Sequence, residues 1–180
     1  MNVQEILKPV SKKFILNRLY VLRKQPLRNG VWQLEGLQTE QLPVKITVNT
    51  TIQNGTEKET YELITFGYYV KKAKSVFLRY EEFLEEGTIN TIVKISGQEG
   101  SILRSGAVKM RIPFQQNKSL TGRYETPYGV MELDTVTSRV HHSFDEDLKK
   151  GEFDFLYRLN MQGSYAGTYH TTISFEEDHS

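Results

Sequence analysis

From Val44 to Phe175 the apolar residues fall at every second position, stretch after stretch, with short turn-forming runs between. That period belongs to a β-strand with one dry face and one wet face. Val44, Ile46, Val48 and Ile52 lead to Asn54-Gly55, the strongest short hairpin signal in the chain. Val76, Leu78 and Tyr80 repeat the pattern, as do Ile89, Thr91, Val93 and Ile95, and then Val108, Met110, Ile112 and Phe114. Leu120, Gly122, Tyr124 and Thr126 return to Thr126-Pro127-Tyr128-Gly129, where Pro sets φ and Gly takes a positive φ. Met131, Leu133, Thr135 and Thr137 follow, then Phe153, Phe155, Tyr157, Leu159 and Met161, then Tyr169, Thr171, Ile173 and Phe175. No crossover helix separates these stretches, so consecutive strands pair antiparallel. Closing the meander on itself leaves no long edge unpaired. The expected fold is all-β, an antiparallel up-and-down barrel of about 8–10 strands, in the range such closed sheets take. Two shifts of phase, at Gly67 and near Ser138, predict β-bulges or bends.

Residues 1–43 differ in kind. Val3, Ile6, Leu7, Val10, Phe14 and Leu22 lie near one helical stripe, interrupted by Pro9, and Pro26, Asn29-Gly30, Gly36 and Pro43 read as linker. Seven Lys/Arg against three Glu give this piece a net +4, whereas the whole chain is +1. It is expected to be a basic N-terminal extension, helical or poorly ordered, ahead of a barrel domain over 44–180. An anionic lipid surface or RNA is the functional reading of such an arm, and an accessory helix or tail is the plainer one.

Zero cysteines exclude disulfides, thiolate zinc sites and a cysteine nucleophile. No apolar run of about 18 residues predicts a membrane helix, and no secretory h-region precedes the strands, so a cytoplasmic home is expected. His141 and His142, being neighbours on a strand, point to opposite faces, and His170 and His179 stand in no ligand spacing, so neither metal nor cofactor is expected. The carboxylates Glu81/Glu82 and Glu85/Glu86 are adjacent pairs that do not converge, Gly163–Gly167 is not a nucleophile elbow, and no phosphate-binding loop occurs. No catalytic constellation remains, and no enzyme is expected. Tyr68, Tyr69, Phe77 and Arg79 resemble an aromatic-basic platform, but the strand region is net negative and nucleic acid is not the expected partner.

The unusual feature is a charge on the dry face. Extending the parity of Val108 and Met110 backwards carries Arg104 inward, and Glu82 shares a face with Tyr80 and Leu78. A buried charge is costly unless paired, so the two are expected to meet inside the barrel. Tyr80, Glu82, Arg104, Tyr124, Thr135, Thr137 and Tyr157 make up the candidate lumen cluster. The guanidinium suits a carboxylate or phosphate. Such a cluster either orients the polar end of a small ligand or is a closed network that fixes strand register.

The order Tyr80-x-Glu82, Thr91-Ile92-Val93-Lys94, Arg104-Ser105-Gly106-Ala107-Val108-Lys109-Met110, Tyr124 with Gly129, and Thr135-x-Thr137 resembles the YwiB-like family of bacterial β-barrel proteins over residues 44 to about 177. The resemblance implies a calycin-like barrel, related to lipocalins and fatty-acid-binding proteins that hold small molecules in the lumen. The family has no assigned function. A lumen that takes a small amphiphilic or anionic molecule is the leading expectation. A filled barrel serving as a protein-interaction or scaffolding module is the alternative, and an RNA-contacting protein acting through the basic arm is the third.

Overall fold

The structure, a computed structural model, describes residues 41–85 and 87–179. The extension expected over residues 1–43 lies outside them except for its last three residues, which already belong to the first strand. Ten strands follow one another: β1 Gln41–Asn54, β2 Glu57–Lys72, β3 Ser75–Leu84, β4 Gly87–Ser96, β5 Glu99–Gly106, β6 Lys109–Gln115, β7 Ser119–Thr126, β8 Gly129–Asp145, β9 Lys150–Met161 and β10 Ser164–Glu177. Each pairs antiparallel with the next, and β1 also pairs with β10, from Val44 opposite Glu177 to Gln53 opposite Thr168. The barrel is closed, as the succession of period-two stretches requires.

Parity sorts the side chains. Along β3 Val76, Leu78, Tyr80 and Glu82 are buried while Arg79, Glu81 and Phe83 are exposed, and along β9 every odd residue from Phe153 to Met161 is buried. Burying a large apolar side chain contributes roughly 1.5–3 kcal/mol, so this one-sidedness drives the closure. The lumen holds two aromatic groups. Phe114 packs on Phe155 and Tyr157 at centroid distances of 4.9 and 4.8 Å. Tyr69 stacks on Phe144 and Phe175 at 4.6 and 4.9 Å. Gly151 makes room for that second group, since a Cβ there would stand 2.3 Å from the Phe175 ring.

The Asn54-Gly55 hairpin turns with Gly55 at φ 61°, and the irregularity expected near Ser138 is a register shift between Thr137 and Arg139. Gly67 corrects the reading. No bulge interrupts the β1 register, which runs through it opposite Val44, while the β3 ladder ends there, opposite Tyr80. The shift of phase arises because Ile64 and Phe66 are apolar residues on the outer face, 50% and 58% exposed. Gly67 is instead needed for close approach: a Cβ would sit 2.1 Å from the Arg79 carbonyl oxygen.

Candidate functional site

Strand pairing sets Tyr80, Thr91, Arg104, Met110 and Tyr124 in one row, each opposite the next across β3 to β7. All five point inward and are buried. Glu82 stands two residues beyond Tyr80 on the same face and is 2% exposed, against 7% for Arg104. The guanidinium crosses β4 to reach it. Nε donates to Glu82 Oε1 at 3.2 Å and Nη2 to Oε2, the side-on fork that a carboxylate accepts in two places. Thr91 Oγ1 donates to Oε1 at 2.6 Å from the intervening strand. Glu82 is thereby neutralised and triply bonded. The two protons on Arg104 Nη1 enter no hydrogen bond among the described residues.

Tyr80 lies close enough for both charges to act on its phenol. Burial raises its pKa most, the Glu82 carboxylate raises it further, and Arg104 opposes them. Tyr157 feels Arg104 too, though β9 is not a neighbour of β5, so that influence crosses the lumen. Burial again dominates its upward shift, with Tyr169 adding to it, while the Thr171 hydroxyl and Arg104 work the other way. Tyr157 stacks on Tyr169 at 5.4 Å, and Thr171 Oγ1 meets Thr50 Oγ1 at 3.2 Å. Burial first, then Glu59 and Tyr165, push Tyr169 up to about 12. Thr137 stands opposite Tyr157, and Tyr157 opposite Tyr169. In this row Thr137 Oγ1 and Tyr169 Oη are buried and hydrogen-bond to no described residue.

The seven residues read from parity are therefore all interior, but they do not form one network. Tyr80, Glu82 and Arg104 come together, and Tyr157 faces them. Tyr124 shares the row of Arg104 without a hydrogen bond to the pair. Thr135 has a different duty. Pro113 lacks an N–H, the β6–β7 ladder spans only Lys109–Arg111 opposite Arg123–Glu125, and Thr135 Oγ1 stands 3.0 Å from the Pro113 carbonyl oxygen and 3.2 Å from that of Leu120. Its one proton serves the two in turn or shares itself between them. Thr91, Thr171, Thr50 and Tyr169 belong to the interior polar set and were not among the seven. The same parity marks them, since each alternates with buried aliphatic or aromatic neighbours.

Outside the lumen, a groove of about 360 Å³ follows the β6–β7 opening, lined by Arg111, Pro113, Thr121, Gly122, Arg123 and Glu132. None of the seven residues reaches it. Tyr69 faces inward, so the aromatic-basic surface keeps only Tyr68, Phe77 and Arg79. His141 is exposed and His142 half-buried, on opposite faces, and among the described residues no three His, Cys, Asp or Glu side chains converge. Tyr69 Oη and His142 Nε2 are 3.2 Å apart, a contact from β2 to β8 across one mouth of the barrel. Lys71 spans the same mouth to Glu146 at 3.1 Å.

A family model described as a domain of unknown function, DUF1934, matches residues 46–173. The chain is 31% identical over 137 residues to a protein of Bacillus subtilis (strain 168) described as the uncharacterized beta-barrel protein YwiB, covering 76% of this chain and 95% of that one. The crystal structure of the ywiB protein from Bacillus subtilis superposes with a TM-score of 0.69 at 31% identity, over 78% of this chain and 95% of the other.

Proposed function

We propose that this chain, which belongs to the DUF1934 family, is a binding protein whose lumen takes a small anionic or amphiphilic molecule beside Arg104. One observation carries the reading: interior polar groups are in excess of the bonds made for them. Thr137 Oγ1 and Tyr169 Oη are buried without a described partner, and Arg104 keeps three of its five N–H donors beyond the two it gives to Glu82. A buried polar group left alone costs about 1–3 kcal/mol, and a ligand oxygen is one way of meeting that cost. The chemistry suits a carboxylate or phosphate at the guanidinium and an apolar body against Phe114 and Phe155.

The test is twofold. Denaturing mass spectrometry of freshly purified protein looks for a co-purifying organic acid or phosphate ester, and a thermal-shift screen covers the same two classes. Stabilisation of the wild type that Arg104→Lys loses supports the reading. Absence of both a co-purifying molecule and a shift overturns it. The second reading, a filled barrel that presents its outside to a protein partner, draws support from Tyr69, which crosses the lumen to stack on Phe144 of a non-adjacent strand.

A further inference from the structure

On the outer wall β6 and β7 hold two arginines face to face. Arg111 stands opposite Arg123 in the last rung of a ladder that begins with Lys109 opposite Glu125. Like charges directly opposite one another on a sheet repel. Beyond that rung the strands part at Pro113, and the groove of about 360 Å³ opens there with both arginines in its lining. Its size falls within that of small-molecule sites, roughly 300–1,000 Å³. Gly122 keeps the pair close: a Cβ there would stand 2.3 Å from the Arg111 carbonyl oxygen, so a larger residue would push β7 away from β6.

The acids nearby do not relieve the repulsion. Arg123 reaches Glu125 only at 4.0 Å, and Glu125 is shared with Lys109 at 3.9 Å. Asp134 accepts from Thr121 Oγ1 at 2.6 Å. Glu132 stands opposite Arg123 without an ion pair to it. Arg111 makes neither hydrogen bond nor ion pair to a described residue. Its neighbour on the other side is Leu103, 43% exposed, with a half-buried Ile92 beyond. One row of the wall thus runs Ile92, Leu103, Arg111, Arg123, an apolar step leading to two exposed cations within about 14 Å at the usual strand spacing.

We infer that this groove binds a phosphate monoester, its phosphate between Arg111 and Arg123 and its apolar body on Leu103. A guanidinium presents a planar fork of donors that a phosphate accepts in two places. Near neutral pH a phosphate monoester carries about −1.5 to −2 charges, enough for both arginines, whereas a carboxylate neutralises one. A soluble ester fits better than a lipid headgroup, because Glu125 and Glu132 flank the pair and an anionic bilayer would repel them. The groove lies outside the wall and is independent of any occupant beside Arg104.

Full-length ¹⁵N-labelled protein is titrated at pH 7.5 with phenyl phosphate, inorganic phosphate and benzoate, and the arginine Nε–Hε signals are followed. The Arg111 and Arg123 signals are expected to shift together and to saturate. Phenyl phosphate binds tightest, since inorganic phosphate lacks the apolar body and benzoate the second charge. Arg111→Gln/Arg123→Gln weakens phenyl phosphate by about tenfold or more, with the backbone spectrum elsewhere unchanged. Glu132→Gln tightens it by about threefold, because a like charge leaves the rim. No saturable shift at the two arginines, benzoate binding as well as phenyl phosphate, or an unaltered affinity in the double variant would each overturn the inference. So would flotation of the protein with phosphatidate vesicles that the double variant loses, which would assign the arginines to a lipid surface.

Discussion

Arg104 and Glu82 occupy positions where the barrel wall would otherwise carry aliphatic side chains, and each is tolerable only because of the other. Removing one leaves a charge in the lumen. Arg104→Met is therefore expected to lower the unfolding free energy by about 3–5 kcal/mol, measured by urea denaturation. Adding Glu82→Leu should recover most of that loss, because two apolar groups of similar volume replace the pair. A single variant costing less than about 1 kcal/mol would mean that Glu82 was never left stranded. The two threonines of β8 make a second contrast. Thr135→Val deprives the Pro113 and Leu120 carbonyls of their donor and should cost about 1–3 kcal/mol. Thr137→Val removes a hydroxyl with no described partner, so in ligand-free protein it should be neutral or stabilising by the same measurement. If the two variants behave alike, the assignment of separate duties is wrong.

At the level of strands, the mouth where Tyr69 meets β8 responds to pH. His142 is held below the usual histidine range, first by burial and then by His141 and Lys71, so the unfolded chain binds its proton more readily than the folded one. That contribution to stability is present above about pH 6.5, the ordinary histidine value, and is lost as pH falls through the lower folded value. Protonation also ends the ability of Nε2 to accept from the Tyr69 hydroxyl. Protection factors at the Tyr69 and Phe144 amides, corrected for the intrinsic pH dependence of exchange, are expected to fall between pH 7.5 and 5, ahead of those in β4 and β5. Uniform exchange would show that His142 does not govern this mouth. Much at this scale was open to reading beforehand. Alternation alone carries Arg104, Glu82 and their companions inside, and the irregularity near Ser138 follows from Val136 and Val140 changing parity. Gly67 misleads because an exposed Ile64 and Phe66 imitate a change of face. Alternation says which way a side chain points but nothing of how far along the strand its neighbour sits. Hence Thr91, one strand from each charge, and the separate post of Thr135 needed the register itself.

For the molecule as a whole, the buried phenols set an alkaline limit. Tyr69 and Tyr169 are pushed up to about 12, Tyr69 by burial and then Glu146, so their neutral forms belong to the folded barrel. Stability is complete below the ordinary tyrosine value near 10 and declines as pH rises through 12. Ultraviolet titration should therefore show exposed phenols ionising first and the buried ones only together with loss of β circular dichroism. Smooth ionisation of every tyrosine near 10 in folded protein would contradict the packing.

The join between β1 and β10 has a consequence for how the chain is made. Val44 emerges early in synthesis and its partner Glu177 late. Until then both flanks of the growing sheet lack the neighbour that completes them. The ring can shut only after the last strand has left the ribosome, so a cell that stalls translation within β9 or β10 holds an open, adhesive sheet in need of chaperone cover.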